Sequence, residues 1–150
     1  EIMRHRLTGR LSGNIAYNTD ANRRKSSSGK ASLRLTGGLL QFQNPMFDIA
    51  SIDLQAITME LELRKGEITV TRAELAGPEV KASLNGSIQL HQDVAFSQLN
   101  LKGTLEPLAE FYKNYPAIRE LLQTMNKRMK RGQYFFTITG TLGEPRLRLL

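Results

Sequence analysis

Leu7-Thr8-Gly9-Arg10-Leu11-Ser12-Gly13-Asn14-Ile15-Ala16-Tyr17 is the stretch that decides the fold. Leu7, Gly9, Leu11, Gly13, Ile15 and Tyr17 take one side, while Thr8, Arg10, Ser12, Asn14 and Ala16 take the other. A period of two over this length predicts a half-buried strand, because successive side chains of an extended chain point to opposite faces. From Asn18 to Gly29 the period is lost. Arg23, Arg24, Lys25 and Ser26 to Ser28 make this a solvated loop with a basic tip.

Outward from that strand, alternation returns in Lys30 to Phe42 through Leu33, Leu35, Gly37 and Leu39, and Asn44-Pro45 breaks it. Ile52, Leu54 and Ala56 resume the pattern, which then slips by one to Ile57, Met59, Leu61 and Leu63. A slip of one is what a β-bulge produces. Lys65-Gly66 predicts a hairpin turn into Ile68 and Val70, and Gly77-Pro78 a second turn. Val80, Ala82, Leu84, Ile88 and Leu90 share a face. Gln98–Leu105, Tyr134–Leu142 and Arg146–Leu149 supply further strands.

One segment has a different period. Leu108, Phe111, Tyr115, Ile118, Leu122, Met125 and Met129 are spaced three and four apart, which is one stripe on a helix. Pro116 predicts a break within it, with the proline in the first turn of the second piece. Lys127, Arg128, Lys130 and Arg131 crowd the end, and Gly132 follows as a C-cap. The stripe either packs on the sheet or faces a partner or lipid. The four cations are the candidates for contact with an anionic surface.

A short pattern of aliphatic residue, polar residue and glycine recurs, as in Leu35-Thr36-Gly37, Leu84-Asn85-Gly86, Leu101-Lys102-Gly103 and Ile138-Thr139-Gly140. Glycine inside a strand removes a packing side chain and is tolerated where a sheet bends or another group comes close. The fold expected is therefore mainly β with one amphipathic helix. It is a strongly curved antiparallel sheet of repeated hairpins, with the helix near the C-terminus packed on or plugging the sheet.

Composition bounds the function. The 150 residues fit one domain, 1–150, and 40% are hydrophobic, which is too many for a disordered chain. There is no cysteine, so neither a disulfide nor a thiolate metal site. The net charge of +7 favours anionic partners. No apolar run reaches the ~18 residues that span a bilayer. Because the chain starts at Glu1, it is read as a fragment of a longer chain, with any signal or membrane anchor upstream.

Chemistry-bearing motifs are sparse. His5 and His91 lie far apart, and neither has metal-ligand spacing to another His, Asp or Glu. There is no Gly-x-Ser-x-Gly elbow and no phosphate-binding glycine loop. Glu60 and Glu62 fall on the polar side of a strand. No enzyme, cofactor or metal is expected. Basic residues are scattered over Arg4, Arg6 and Arg10, Arg23 to Lys25 and Lys127 to Arg131. With aromatics at 7%, no nucleic-acid site is expected.

The Leu-x-Gly strands, the run Gly29-Lys30-Ala31-Ser32-Leu33, the span from Leu63 to Val70 and the ending Thr137-Ile138-Thr139-Gly140-Thr141-Leu142-Gly143-Glu144-Pro145-Arg146 resemble a known family. They look like the C-terminal region of the GspN proteins of type II secretion, and are similar to the wider AsmA-like group of envelope proteins. The resemblance implies a periplasmic β-rich body anchored to the inner membrane. It implies a structural, accessory role in protein transport through other secretion-system envelope subunits. The alternative it implies is an AsmA-like lipid-binding or lipid-transfer domain, holding phospholipid or lying on the membrane surface. An open apolar face would favour the alternative, and a face plugged by the Leu108–Met129 helix would favour protein contacts.

Overall fold

A computed structural model describes residues 6–18, 27–46, 49–124 and 129–150. Five long strands follow one another as β1 (Arg6–Asn18), β2 (Ser28–Met46), β3 (Ile49–Arg64), β4 (Glu67–Ala76) and β5 (Val80–Gln89). A 3₁₀ turn, Val94–Phe96, leads into β6 (Gln98–Pro107). Two short helices, α1 (Ala109–Asn114) and α2 (Pro116–Thr124), precede β7 (Met129–Lys130), β8 (Gln133–Gly140) and β9 (Pro145–Leu149). All nine strands form one antiparallel sheet in the order β1-β2-β3-β4-β5-β6-β8-β7, with β9 also on β8. The sheet does not close on itself. The expected fold class is the one observed.

Register makes the sheet two-sided. Ile15 pairs with Ala31, and the same row continues through Leu61, Val70, Gly86, Leu101 and Ile138 to Leu147. A parallel row runs from Leu11 through Leu35, Ile57, Leu75, Ala82 and Leu105 to Tyr134. Directly paired residues of antiparallel strands project to the same face, so these rows are one apolar surface. Polar rows line the reverse, such as Asn14, Ser32, Glu60 and Arg72. There Ser83 Oγ and Thr104 Oγ1 are hydrogen-bonded at 2.6 Å.

Irregularities keep the apolar side continuous. In β4 an extra residue at Thr71-Arg72 lets both Val70 and Ala73 stay in the apolar rows, since Leu61 faces Val70 while Glu60 faces Arg72. The slip that the sequence shows at Ala56-Ile57 does not break the β2–β3 ladder. β2 slips with it: Leu35 faces Ile57 and Leu40 faces Ile52 on either side of Gly37, whose φ is 58°. The register shift appears instead between β1 and β2, where Thr8 and Arg10 face Leu39 and Thr36.

Two tight turns share one chemistry. Lys65-Gly66 has φ values of 50° and 79°, and Arg131-Gly132 has 52° and 78°. Positive φ at both central residues is the two-residue hairpin whose twist matches that of its strands. The first turn was expected. The second corrects the sequence reading: Gly132 does not cap a helix, and Met129 and Lys130 lie in β7, paired with Tyr134 and Gln133. A basic residue followed by glycine suits a helix end and a hairpin equally, and here the strand pairing decides.

The helical stripe breaks at Tyr115-Pro116, as proline demands, so two short helices replace one. Proline stands first in α2, where its missing N–H has no helical partner to lose. In α1, Glu110 sits in the first turn and Lys113 in the last, each sign matched to the helix dipole. One backbone and one side-chain hydrogen bond to the β4–β5 turn fix α1: Leu108 N donates to Glu79 O at 2.8 Å, and Asn114 Nδ2 donates to Glu79 Oε1 at 2.7 Å.

The core is split in two. Val70, Leu99 and Leu101 are buried mid-sheet against Leu61, Ala73, Leu84, Ile88 and Ile138. Val80, Phe111 and Ile118 are buried together under the helices, with Ile49, Leu105, Tyr112 and Tyr115 around them. Each such aliphatic side chain taken out of water contributes roughly 1.5–3 kcal/mol.

Candidate functional site

The two helices cover one end of the apolar face. Phe111 of α1 and Ile118 of α2 face Val80 and Leu105, so they belong to the core rather than to a free surface. The partner-facing or lipid-facing role expected of the stripe therefore does not fall to these two residues. Leu108 and Tyr115 are half-buried at the ends of α1. Burial, and secondarily the carboxylate of Glu79, raises the Tyr115 hydroxyl above the usual phenol range. Leu122 belongs to α2, but its expected contact lies outside what is described, as do Met125, Lys127 and Arg128. Met129 is half-buried in β7, while Lys130 and Arg131 are exposed in the hairpin. Of the four cations read as one cluster, these two therefore sit on a turn and not on a helix end.

Mid-sheet the same face is closed around Val70, Leu99 and Leu101, and it lies open at the β1 end. Every residue of β1 is exposed. Its apolar positions Leu7, Leu11, Ile15 and Tyr17 are 54%, 64%, 74% and 60% exposed. The sequence read this strand as half-buried. Alternation shows that a strand has an apolar side, but not that anything lies on it. The exposed row spans about 33 Å at the usual rise of a strand. Exposed aliphatic rows of this extent mark interaction surfaces on soluble domains.

Electrostatics divide the reverse face. On β1 and β2, Arg6, Arg10 and Arg34 are exposed and, among the described residues, form no ion pair. Lys30 stands opposite Glu62. On β3 and β4 the charges compensate: Arg72 donates to Glu74 at 2.7 Å, which holds the Glu74 carboxyl below the usual carboxylate range. At the far edge, Arg146 and Arg148 of β9 alternate with Leu147 and Leu149, and they too are exposed and unpaired among the described residues.

A second apolar cluster caps the end of the sheet away from the helices. Val94, Phe96 and Leu142 are 63%, 59% and 43% exposed. Their loops are tied together by Leu142 N donating to Ser97 O at 3.0 Å and by Gly143 N donating to Ala95 O at 2.8 Å. The fully buried Ser97 hydroxyl accepts from His91 N at 3.1 Å. His91 thus serves a loop and stands edge-on to Phe96, 5.8 Å between ring centroids. Among the described residues no group of His, Asp and Glu is placed to hold a metal ion. Glu60 and Glu62 are on the polar face, Glu62 in an ion pair with Arg64 at 3.4 Å.

No family model matches the chain, and no curated protein and no solved structure matches it either.

Proposed function

We propose that this domain is a non-enzymatic carrier of apolar chains: the uncovered apolar side of the sheet holds the acyl tails of phospholipid, as the AsmA-like resemblance implies. One observation carries this reading. The apolar rows pair in register from Ile15 to Leu147; they are buried mid-sheet at Val70 and Leu101 and open at the β1 end, where Leu7, Leu11, Ile15 and Tyr17 are exposed. A flexible, chain-shaped ligand suits a long shallow strip better than a compact substrate, which needs a concave pocket with converging polar groups. In an envelope setting such a strip would shield tails from water while headgroups stay at its basic margin.

The test is native mass spectrometry of the domain after incubation with phosphatidylethanolamine–phosphatidylglycerol vesicles and separation from them. The expected result is a population carrying whole phospholipids. A Leu11→Asp/Ile15→Asp variant loses that population while keeping its unfolding midpoint, because both positions are exposed. A wild-type domain free of lipid would end the reading.

A second reading is favoured by a separate observation, the outer edge of β1, which no strand among the described residues pairs. An open strand edge offers peptide groups to another chain. Protein contact there fits the accessory role in type II secretion that the GspN-like motifs imply.

A further inference from the structure

Among the described residues the sheet is left open along β1 and along β9, and these two edges carry the same pattern. On β1, Arg6 and Arg10 alternate with Leu7 and Leu11; on β9, Arg146 and Arg148 alternate with Leu147 and Leu149. In each strand the cations fall on the polar face and the aliphatics on the apolar one. Edge strands attract other strands because a row of N–H and C=O groups is left unmatched, and charge on an edge decides which strands are admitted. Two copies joined β1 to β9, or β1 to β1, would line up cations on one face. Like charges on neighbouring strands oppose pairing. The edges are therefore built against self-assembly.

We infer that the β1 edge is a docking strand for an extended segment of a partner protein in which Asp or Glu alternates with aliphatic residues. Such a segment would extend the ladder through backbone hydrogen bonds. Its acids would stand beside Arg6 and Arg10, and its aliphatic side chains would continue the rows of Leu7, Leu11 and Ile15. The complement is specific in three respects at once: peptide groups for the edge, negative charge for the arginines, and a greasy side for the exposed row. β1 is the better of the two edges for this, since it has 13 residues against the 5 of β9. This inference rests on the protein-contact reading and is independent of lipid binding.

Fluorescence anisotropy with labelled eleven-residue peptides tests it. One peptide alternates Glu with Val and Ile. The second carries Lys in place of each Glu. The third is the acidic peptide N-methylated at every residue, so that neither of its edges can donate. The acidic peptide should bind about five- to tenfold more tightly than the lysine one, the size expected of two or three cross-strand charge pairs. An Arg6→Glu/Arg10→Glu variant with unchanged circular dichroism should reverse that preference, and N-methylation should abolish binding. Equal binding of the acidic and lysine peptides would overturn the acidic partner, and undiminished binding of the N-methylated peptide would overturn strand addition. Failure of every peptide to bind would remove the protein-contact reading with it, whereas lipid retention is measured separately and would stand.

Discussion

Gly103 stands directly opposite Phe136 across the β6–β8 ladder, and the aromatic ring occupies the space where a side chain on residue 103 would begin. A Cβ there would also come within 2.5 Å of the Ser83 carbonyl on the other flank. Gly103→Val should therefore destabilise the domain by about 1–3 kcal/mol, the cost of overfilling a packed site. Urea unfolding measures it. Adding Phe136→Leu should restore part of the loss, and a fully additive double variant would show that ring and glycine are uncoupled.

Gly140 ends β8 with φ of 84°, and a Cβ there would meet the Glu144 carbonyl at 2.5 Å. Gly140→Ala should lower stability by about 1 kcal/mol or more, through a backbone that L-residues avoid and a crowded turn. A midpoint unchanged in thermal unfolding would contradict the observed turn.

The helices act as a partial cover, which separates two neighbouring leucine-sized side chains. Ile118 is 7% exposed and packs on Val80, whereas Leu121 is 43% exposed. Ile118→Asp should cost about 3 kcal/mol or more, because a charge enters an apolar contact. Leu121→Asp should stay within about 0.5 kcal/mol. Equal losses at both would mean that the exposed side of α2 is also packed.

Tyr134 is 3% exposed, and burial first, then the neighbouring Tyr112, raises its hydroxyl above the ordinary phenol range. A raised folded-state value means that the folded chain keeps its proton where the unfolded chain has lost it. The associated stability is therefore complete below about pH 10 and is lost as the pH climbs from there through the raised value. Tyr134→Phe should flatten the alkaline limb of stability against pH. A limb unchanged by this substitution would assign the loss to another group.

Most strands were legible because each has one apolar and one polar side, and a period of two survives in Leu7–Tyr17, Ile57–Leu63 and Val80–Ile88. Pro116 declared its helix break by chemistry alone. The second hairpin was hidden, since Met129 also fits a helical spacing from Met125, and only pairing with Tyr134 distinguishes the two. Lys65-Gly66 was the available clue, being the same dipeptide chemistry as Arg131-Gly132. The candidate surface was the hardest part to read. Phe111 and Ile118 make a stripe that looks like a docking helix, yet they are spent on Val80. The free stripe is the one on β1, and alternation cannot report whether a second layer exists.

A sheet one layer thick with its neighbours joined hairpin by hairpin has a mechanical consequence. Each strand leans chiefly on the two beside it, so cohesion is summed locally, as in stacked-repeat proteins, rather than shared by one central knot of side chains. Hydrogen exchange should then show a gradient, fastest in β1 and β2 and slowest around Val70 and Leu101. Trimming the sheet by a marginal hairpin should shorten it without collapsing the remainder.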